Sequence, residues 1–454
     1  MKTLLLSALL LVTFISELRA DEPYGFRVNG QGRFPDAVPV TEWGADKNVV
    51  WKTPMPDWSN ASPVLCGDRL FVCSEPTSIV CVNLADGKII WQKSNDYADI
   101  LTDPAELSKY KEQTKEAVEI NKRLDAKKKE INEAEATSRK DPADAELKKK
   151  IEELRKEADP IRKELSRLNY ALPKTHQVNG YSSATPVTDG KCVWAVFGTG
   201  TVVCYDADGK FKWGRKIENP SHEWGSCISP VLAGNVLLVQ YDTLYGLDAA
   251  TGKELWKLRT PWGWGTPVVA KIGDQYVAYT SQGAAISTAD GKVIAEGLKK
   301  LQYNSPLLQD GELYYIEEKP VAFKLPQSPA DKPEKLWDGD PIHKDRYYST
   351  PLLNEGLIYA LDQARFFSVL DAKTGKIIYE KKLDQLKATI YPSPVLAENY
   401  VLLSDEKGTT IVLEAGREYK ETAVNVLEPF RSSPIFIGNR MYVRTLKSLY
   451  CIGK

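Results

Sequence analysis

The 454-residue sequence predicts an all-β fold, an eight-bladed β-propeller with one inserted α-helical hairpin. Two observations support this prediction: an opening motif that recurs along the chain, and an unmatched strand near the amino terminus. The motif is Ser-Pro or Thr-Pro followed by apolar residues, with its prolines at 63, 186, 230, 267, 306, 351, 394 and 434. After the first interval the spacing is 37 to 45 residues, which is typical of one four-stranded propeller blade.

The copy from Ser226 to Trp256 shows how one blade is predicted. Turns at Gly234 and at Gly252 separate apolar or alternating stretches, since glycine reaches the positive φ that tight hairpins require. Pro230 has no N–H to donate and therefore belongs at the first residues of a strand. The predicted strands of this copy are 228–232, 235–240, 243–247 and 254–257. Several copies end in the same way, with Asp-Gly-Lys or Thr-Gly-Lys followed by an aromatic residue.

The eighth copy stops after a strand at 448–452, so it lacks its fourth strand. An apolar stretch at 48–52 precedes the first motif and is predicted to complete blade 8, which leaves the ring without an open seam. The propeller is therefore predicted to comprise residues 46–102 and 171–454. Residues 21–45 are predicted to form an arm that lies over the surface.

Residues 103–170 contain no glycine, cysteine or tryptophan and are rich in charge. Apolar residues recur by threes and fours, which indicates a heptad seam. The seam residues are Leu147, Ile151, Leu154, Ala158, Ile161, Leu165 and Leu168. We predict an antiparallel helical hairpin, broken near Pro142, between blades 1 and 2. Its charged exterior is expected to be solvated, and a docking role is the alternative.

Residues 1–20 have the pattern of a secretory signal peptide: Lys2, the apolar run 4–15, and a polar exit ending at Ala20. This predicts an exported protein, periplasmic or extracellular, without a transmembrane segment. A net charge of −1 argues against nucleic acid as a partner, and we expect a monomer. The seven cysteines lie mainly in apolar strand patterns, which favours buried free thiols and leaves a disulfide as the alternative.

The position three residues before each repeated proline is predicted to surround one mouth of the central channel, because innermost strands begin near the axis. Its occupants are Asn60, Ser183, Cys227, Trp264, Tyr303, Tyr348, Tyr391 and Arg431. Aromatic residues and arginine are enriched where binding energy concentrates, and the hairpin leaves from the same face. The predicted mouth for a protein partner or small ligand is Asn60, Ser183, Trp224, Trp264, Tyr303, Tyr348, Tyr391 and Arg431. The alternative is that these side chains only pack the funnel.

No catalytic residue is predicted. The loops before blades 2 and 3 adjoin, so His176, His222 and Glu223 could in principle hold a metal. Histidines in loops are more often hydrogen-bonded surface residues, and we therefore do not expect a metal.

The Ser-Pro-Val openings and the Asp-x-x-Thr-Gly-Lys-x-x-Trp endings resemble the pyrroloquinoline-quinone-like (PQQ-like) β-propeller repeat family, over residues 45–102 and 171–454. The resemblance implies one of two functions. Some members are dehydrogenases that hold the quinone and calcium over the axis, and others are non-catalytic binding propellers, such as the lipoprotein of the outer-membrane β-barrel assembly machine. This chain has no adjacent cysteine pair and no matching set of calcium ligands.

The favoured function is therefore a non-catalytic binding or protein-interaction scaffold of the cell envelope, with no cofactor expected. One alternative is a PQQ-dependent alcohol or sugar dehydrogenase, which would need PQQ and calcium. Another is a carbohydrate-binding propeller, which only the aromatic mouth supports.

Overall fold

The computed structural model describes residues 24–141 and 143–454, and the predicted signal segment at 1–20 lies outside this range. Eight antiparallel sheets confirm the predicted eight-bladed propeller. From the innermost strand outward, the blades are: blade 1, Val64–Cys66, Arg69–Ser74, Ser78–Asn83 and Ile89–Lys93; blade 2, Val187–Thr188, Cys192–Phe197, Thr201–Asp206 and Phe211–Lys216; blade 3, Val231–Ala233, Val236–Gln240, Thr243–Asp248 and Glu254–Arg259; blade 4, Val268–Ile272, Gln275–Tyr279, Ala285–Ser287 and Val293–Ala295; blade 5, Leu307–Gln309, Glu312–Tyr315, Val321–Lys324 and Glu334–Asp338; blade 6, Leu352–Asn354, Leu357–Leu361, Phe366–Asp371 and Ile377–Lys382; blade 7, Val395–Ala397, Tyr400–Ser404, Thr409–Glu414 and Glu421–Val426; and blade 8, Ile435–Ile437, Arg440–Arg444, Ser448–Gly453 and Val49–Pro54.

The ring closes as predicted. The strand Val49–Pro54 pairs antiparallel with Ser448–Gly453, with Lys52 opposite Tyr450. The innermost strand of blade 3 begins at Val231 rather than at the predicted residue 228. The reason is that the N–H of Ser229 is bonded to a side chain and Pro230 has no N–H, so neither residue can join the ladder.

A closed set of eight hydrogen bonds joins the blades just before their innermost strands. The residue before each repeated proline is serine or threonine, and its hydroxyl accepts the backbone N–H of the equivalent residue in the preceding blade, at 2.9–3.2 Å. The set closes where the N–H of Ser433 meets Oγ of Ser62. These N–H groups are buried outside any strand, so the hydroxyls satisfy donors that would otherwise be unpaired. We call these residues the hydroxyl ring: Ser62, Thr185, Ser229, Thr266, Ser305, Thr350, Ser393 and Ser433.

Tryptophans of the outermost strands join the blades at a larger radius. The indole N–H of Trp213 donates to the carbonyl of Ala249 in the next blade at 3.0 Å. Its ring lies on Gly252, where a Cβ would come within 2.4 Å of it and where φ is +69°, so the turn requires glycine. The same indole bond to the next blade is made by Trp51, Trp91, Trp256 and Trp337.

The predicted helical hairpin is confirmed between blades 1 and 2. Its long helices are Pro104–Ser138 and Ala145–Ser166, preceded by the short helix Tyr97–Ile100. The seam forms a hydrophobic cluster of its own, which buries Leu124, Ile131, Ala134, Ile151, Leu154 and Ala158. Asp103 caps the first long helix by accepting the N–H groups of Ala105 and Glu106. Within the described residues, no helix is long and apolar enough to cross a membrane.

All seven cysteines lie in the described ranges, and none of them is disulfide-bonded. Five are buried, while Cys192 and Cys227 are partly exposed. Burial raises the pKa of the Cys73 thiol to about 12, so that thiol is protonated at neutral pH. The structure therefore agrees with the prediction of free thiols that act as small apolar groups.

The N-terminal arm does not lie over the surface between Tyr24 and Phe34, so the prediction is wrong for that part, whereas Val38 farther along is 63% exposed. Tyr24 pairs with Thr188 in the innermost strand of blade 2. After one helical turn, Arg27–Gly30, the strand Arg33–Phe34 adds in parallel to the innermost strand of blade 7. The arm then passes blade 8, where the N–H of Val38 donates to the carbonyl of Gly438. Innermost strands have one unpaired edge, and the arm enters the channel and pairs with two of these edges, those of blades 2 and 7.

Candidate functional site

Four predicted mouth residues form a continuous group, which we call the tyrosine arc: Tyr303, Tyr348, Tyr391 and Arg431. The rings of Tyr303 and Tyr348 meet edge to face at 4.7 Å between centroids. Tyr348 stacks on Tyr391 at 5.6 Å, and the Arg431 guanidinium lies 5.7 Å from the Tyr391 centroid. Such aromatic and cation–π contacts hold the side chains in fixed positions before any ligand arrives.

The arc continues through hydrogen bonds to two further predicted residues. Arg431 donates to the carbonyl of Val178 at 3.2 Å, and the amide of Asn60 donates to the same carbonyl at 2.7 Å. Asn60 also donates to Oγ of Ser183 at 2.8 Å. Within the described residues, Oδ1 of Asn60 is buried without a donor. It is therefore an unsatisfied buried acceptor at the predicted mouth.

The remaining predicted residues, Trp224 and Trp264, lie in two further aromatic clusters, one of His176 and Trp224 and the other of His222, Trp262 and Trp264. His176 stacks on Trp224 with centroids 4.0 Å apart, and His222 stacks on Trp262 at 3.8 Å. Trp262 meets Trp264 edge to face at 4.4 Å. Trp224 is 43% exposed. In the described parts of the chain, no ring contact joins these two clusters to each other or to the tyrosine arc, so the predicted mouth has three separate aromatic clusters.

The weak metal candidates do not assemble. Nδ1 of His176 accepts the N–H of Val178, and Nδ1 of His222 accepts the N–H of Trp224, both at 3.2 Å. The two imidazoles stack on different indoles. Across residues 24–141 and 143–454, no group of three or more His, Cys, Asp or Glu side chains is placed to hold a metal ion.

Two buried carboxyls accept backbone N–H groups of the predicted mouth loops and were not predicted from the sequence. Glu317 accepts the N–H groups of Gln302 at 2.8 Å and Tyr303 at 3.4 Å, and burial raises its pKa to about 7. Glu75 accepts the N–H groups of Tyr181 and Ser182, and burial raises its pKa as well. Both residues follow the second strand of a blade. An acidic residue at that point in a repeat is the only sequence signal that could have indicated them.

The mouth does not fit the quinone and calcium of the dehydrogenases. Calcium needs several oxygen ligands, usually including carboxylates. Glu75 and Glu317 accept backbone N–H groups, and Glu406 pairs with Arg431 at 3.1 Å. The chain also has no adjacent cysteine pair. We therefore assign no catalytic step to such a cofactor.

The fold and the predicted mouth define a repeat β-propeller with clusters of aromatic side chains at one end. The comparisons agree with this class. A family model described as the outer membrane protein assembly factor BamB matches residues 159–302, and no curated protein matches the chain.

Three solved structures show how far the similarity extends. BamB from Moraxella catarrhalis is 12% identical, with 89% of this chain and 97% of that chain covered and a TM-score of 0.53. A europium-containing methanol dehydrogenase is 11% identical, with 92% and 89% covered and a TM-score of 0.52. Quinohemoprotein alcohol dehydrogenase from Comamonas testosteroni is 9% identical, with 92% and 78% covered and a TM-score of 0.52. Identities this low show a shared fold alone. Together with the family match, they confirm the resemblance to the PQQ-like β-propeller repeat family.

Proposed function

We propose that this chain is a non-catalytic binding scaffold whose mouth binds a protein partner or a small ligand. The observation that supports this most is the tyrosine arc, in which three contacting tyrosine rings and a guanidinium lie together at the predicted mouth. Arg346, whose side chain is 57% exposed, donates to the Tyr348 hydroxyl at 2.9 Å and extends the surface. Aromatic residues and arginine dominate the energetic centres of protein interfaces.

The helical hairpin supports a protein partner for the same surface. Its base touches the mouth loops, because the Tyr181 hydroxyl donates to the carbonyl of Pro173 and Asn219 donates to that of Leu168. A partner seated on the mouth can therefore also reach the hairpin.

We further propose that the protein is exported, acts in the periplasm or outside the cell, and is a monomer. The predicted signal peptide at 1–20 supports export. The matching family model is described as an outer membrane protein assembly factor, which supports a place in the cell envelope.

The test is affinity capture from the native envelope fraction with a mouth variant, Trp264→Ala, Tyr348→Ala and Arg431→Ala combined. The matched control places the same kinds of change on the opposite face: Tyr276→Ala, Tyr400→Ala and Arg417→Ala. We expect proteins captured by the wild type to be retained by the control and lost by the mouth variant. Equal capture by both variants, with circular dichroism showing both folded, would refute the proposal.

The two alternatives have direct tests. If the protein reduces a dye in the presence of alcohols or sugars after incubation with PQQ and calcium, it is a dehydrogenase and the scaffold proposal is wrong. We expect no dye reduction. The exposed indole of Trp224 favours the carbohydrate alternative, since sugar rings pack on flat aromatic faces. The carbohydrate-binding function would be established if the wild type binds saturably to a glycan array and Trp224→Ala abolishes that binding.

A further inference from the structure

Two arginines of the N-terminal arm enter the channel without a carboxylate partner. Arg27 is only 3% exposed. It donates to the carbonyl of Thr350, and to that of Gln31 at 3.0 Å. Arg33 donates to Oε1 of Gln309 at 3.0 Å. In the part of the chain that the structure describes, the Nε atoms of both arginines are buried without an acceptor.

The innermost strands of the propeller supply no counter-charge to Arg27. The eight innermost strands contain no aspartate and no glutamate. The carboxyls of the mouth loops are engaged elsewhere, Glu75 and Glu317 by backbone N–H groups and Glu406 by Arg431. Burial lowers the pKa of Arg27 to about 9, so the guanidinium still carries its charge at neutral pH. An unpaired buried charge is strongly unfavourable.

The hydroxyl ring adds unsatisfied donors beside Arg27. Thr350 contributes its hydroxyl to the ring and its carbonyl to Arg27, so the guanidinium lies against the ring. Each ring hydroxyl accepts one N–H, and none of the eight donates its own proton to an acceptor in the described residues. Each ring residue is 3–8% exposed. The described chain thus places hydroxyl protons without acceptors beside a guanidinium whose Nε lacks an acceptor.

The arm's backbone is strained where it holds this guanidinium. Arg27 and Val28 have φ values of +53° and +68°, a left-handed conformation that costs roughly 1–2 kcal/mol per residue. At Gly32 a Cβ would come within 2.6 Å of Nη2 of Arg27, so glycine leaves the room that the guanidinium occupies. Such strain is typical of backbone that presents a functional group.

We propose that the channel binds one small oxyanion between Arg27 and the hydroxyl ring, either a free phosphate-type anion or a carboxylate group. Guanidinium and hydroxyl donors together suit an oxyanion, which accepts several charge-assisted hydrogen bonds at once. Water molecules alone would satisfy the hydroxyls and leave the positive charge unpaired. The charge of Arg27 also disfavours a cation at this place. The site is distinct from the tyrosine arc and does not depend on the proposed scaffold function.

The test is isothermal titration of the full-length exported protein with sodium phosphate and, separately, with sodium acetate. We expect saturable binding of one anion per chain that weakens at least tenfold in Arg27→Gln. The matched control is Arg69→Gln, which removes an arginine that already pairs with Asp208 at 2.8 Å, and it should leave binding unchanged. Binding of phosphate alone would indicate a free inorganic anion, and binding of acetate would indicate a carboxylate.

A second measurement does not depend on how the variants fold. In crystals grown with sodium bromide, an anomalous peak within hydrogen-bonding distance of the Arg27 guanidinium is expected. The proposal would be overturned if no saturable binding is measured and if the crystals show only water, and no bromide peak, beside Arg27.

Discussion

Removing one hydroxyl from the hydroxyl ring tests how much these bonds stabilise the propeller. Oγ of Ser305 accepts the N–H of Thr266 at 2.9 Å, and both residues are buried. Ser305→Ala leaves that N–H buried without an acceptor, which costs about 1–3 kcal/mol. Ser305→Thr keeps the hydroxyl, and threonine already stands at three other ring positions, 185, 266 and 350. The alanine variant should therefore be destabilised and the threonine variant should resemble the wild type.

Two measurements check this expectation. The urea midpoint should fall for Ser305→Ala and remain near the wild-type value for Ser305→Thr. By hydrogen exchange, the amide of Thr266 should lose protection by about 5- to 150-fold in the alanine variant, since 1.4 kcal/mol corresponds to a factor of ten. If Ser305→Ala matches Ser305→Thr in both measurements, the ring bonds do not stabilise the closed propeller.

Three further outcomes are expected. Trp213→Phe loses the indole bond to Ala249 and should lower the free energy of unfolding by about 0.5–1.5 kcal/mol, whereas Trp213→Ala also loses the ring and should lower it by about 3–5 kcal/mol. Urea unfolding measures both, and an unchanged stability of Trp213→Phe would contradict the role of the indole N–H. The pKa of Glu317 is raised from 4.5 to about 7, so the folded state binds more protons than the unfolded state between these values. The stability due to this carboxyl is complete below about pH 4.5 and decreases by up to about 3 kcal/mol as the pH rises through 7; Glu317→Gln should flatten that profile, and an unchanged profile would contradict the assignment. Deleting residues 104–168 should leave the β-sheet circular dichroism intact, because the hairpin has its own hydrophobic cluster, and should weaken partner capture; full capture would exclude a docking role.

The blades could be predicted because each of them begins with the same local sequence motif. After the first interval, Ser-Pro or Thr-Pro followed by apolar residues recurs every 37 to 45 residues, so the count and the closing strand follow from spacing. The hydroxyl ring was visible in the same alignment, as serine or threonine before every proline. Its role needs the geometry of two neighbouring blades, and for that reason the sequence could not reveal it.

The path of the arm could not be predicted, because its contacts are with residues far away in the chain. Arg33 and Phe34 pair with Leu396 and Ala397 over only two positions, which leaves no periodic pattern. The residues of the mouth were predicted from their position before each repeated proline. Six of them are linked to one another by ring contacts or hydrogen bonds. Whether those residues bind a partner stays a prediction. The stacking of His222 on Trp262 joins loops of different blades, and no local pattern indicates it.

The closing strand imposes a temporal order on assembly. Val49–Pro54 emerges early from the ribosome, but its pairing partner Ser448–Gly453 is among the last segments to be made. Until then neither edge of the early strand has a paired neighbour, and the circle stays open beside blade 1. Cooperative sealing therefore waits for nearly the whole chain, and a nascent product interrupted before residue 448 has an exposed β edge that quality-control proteases can recognise.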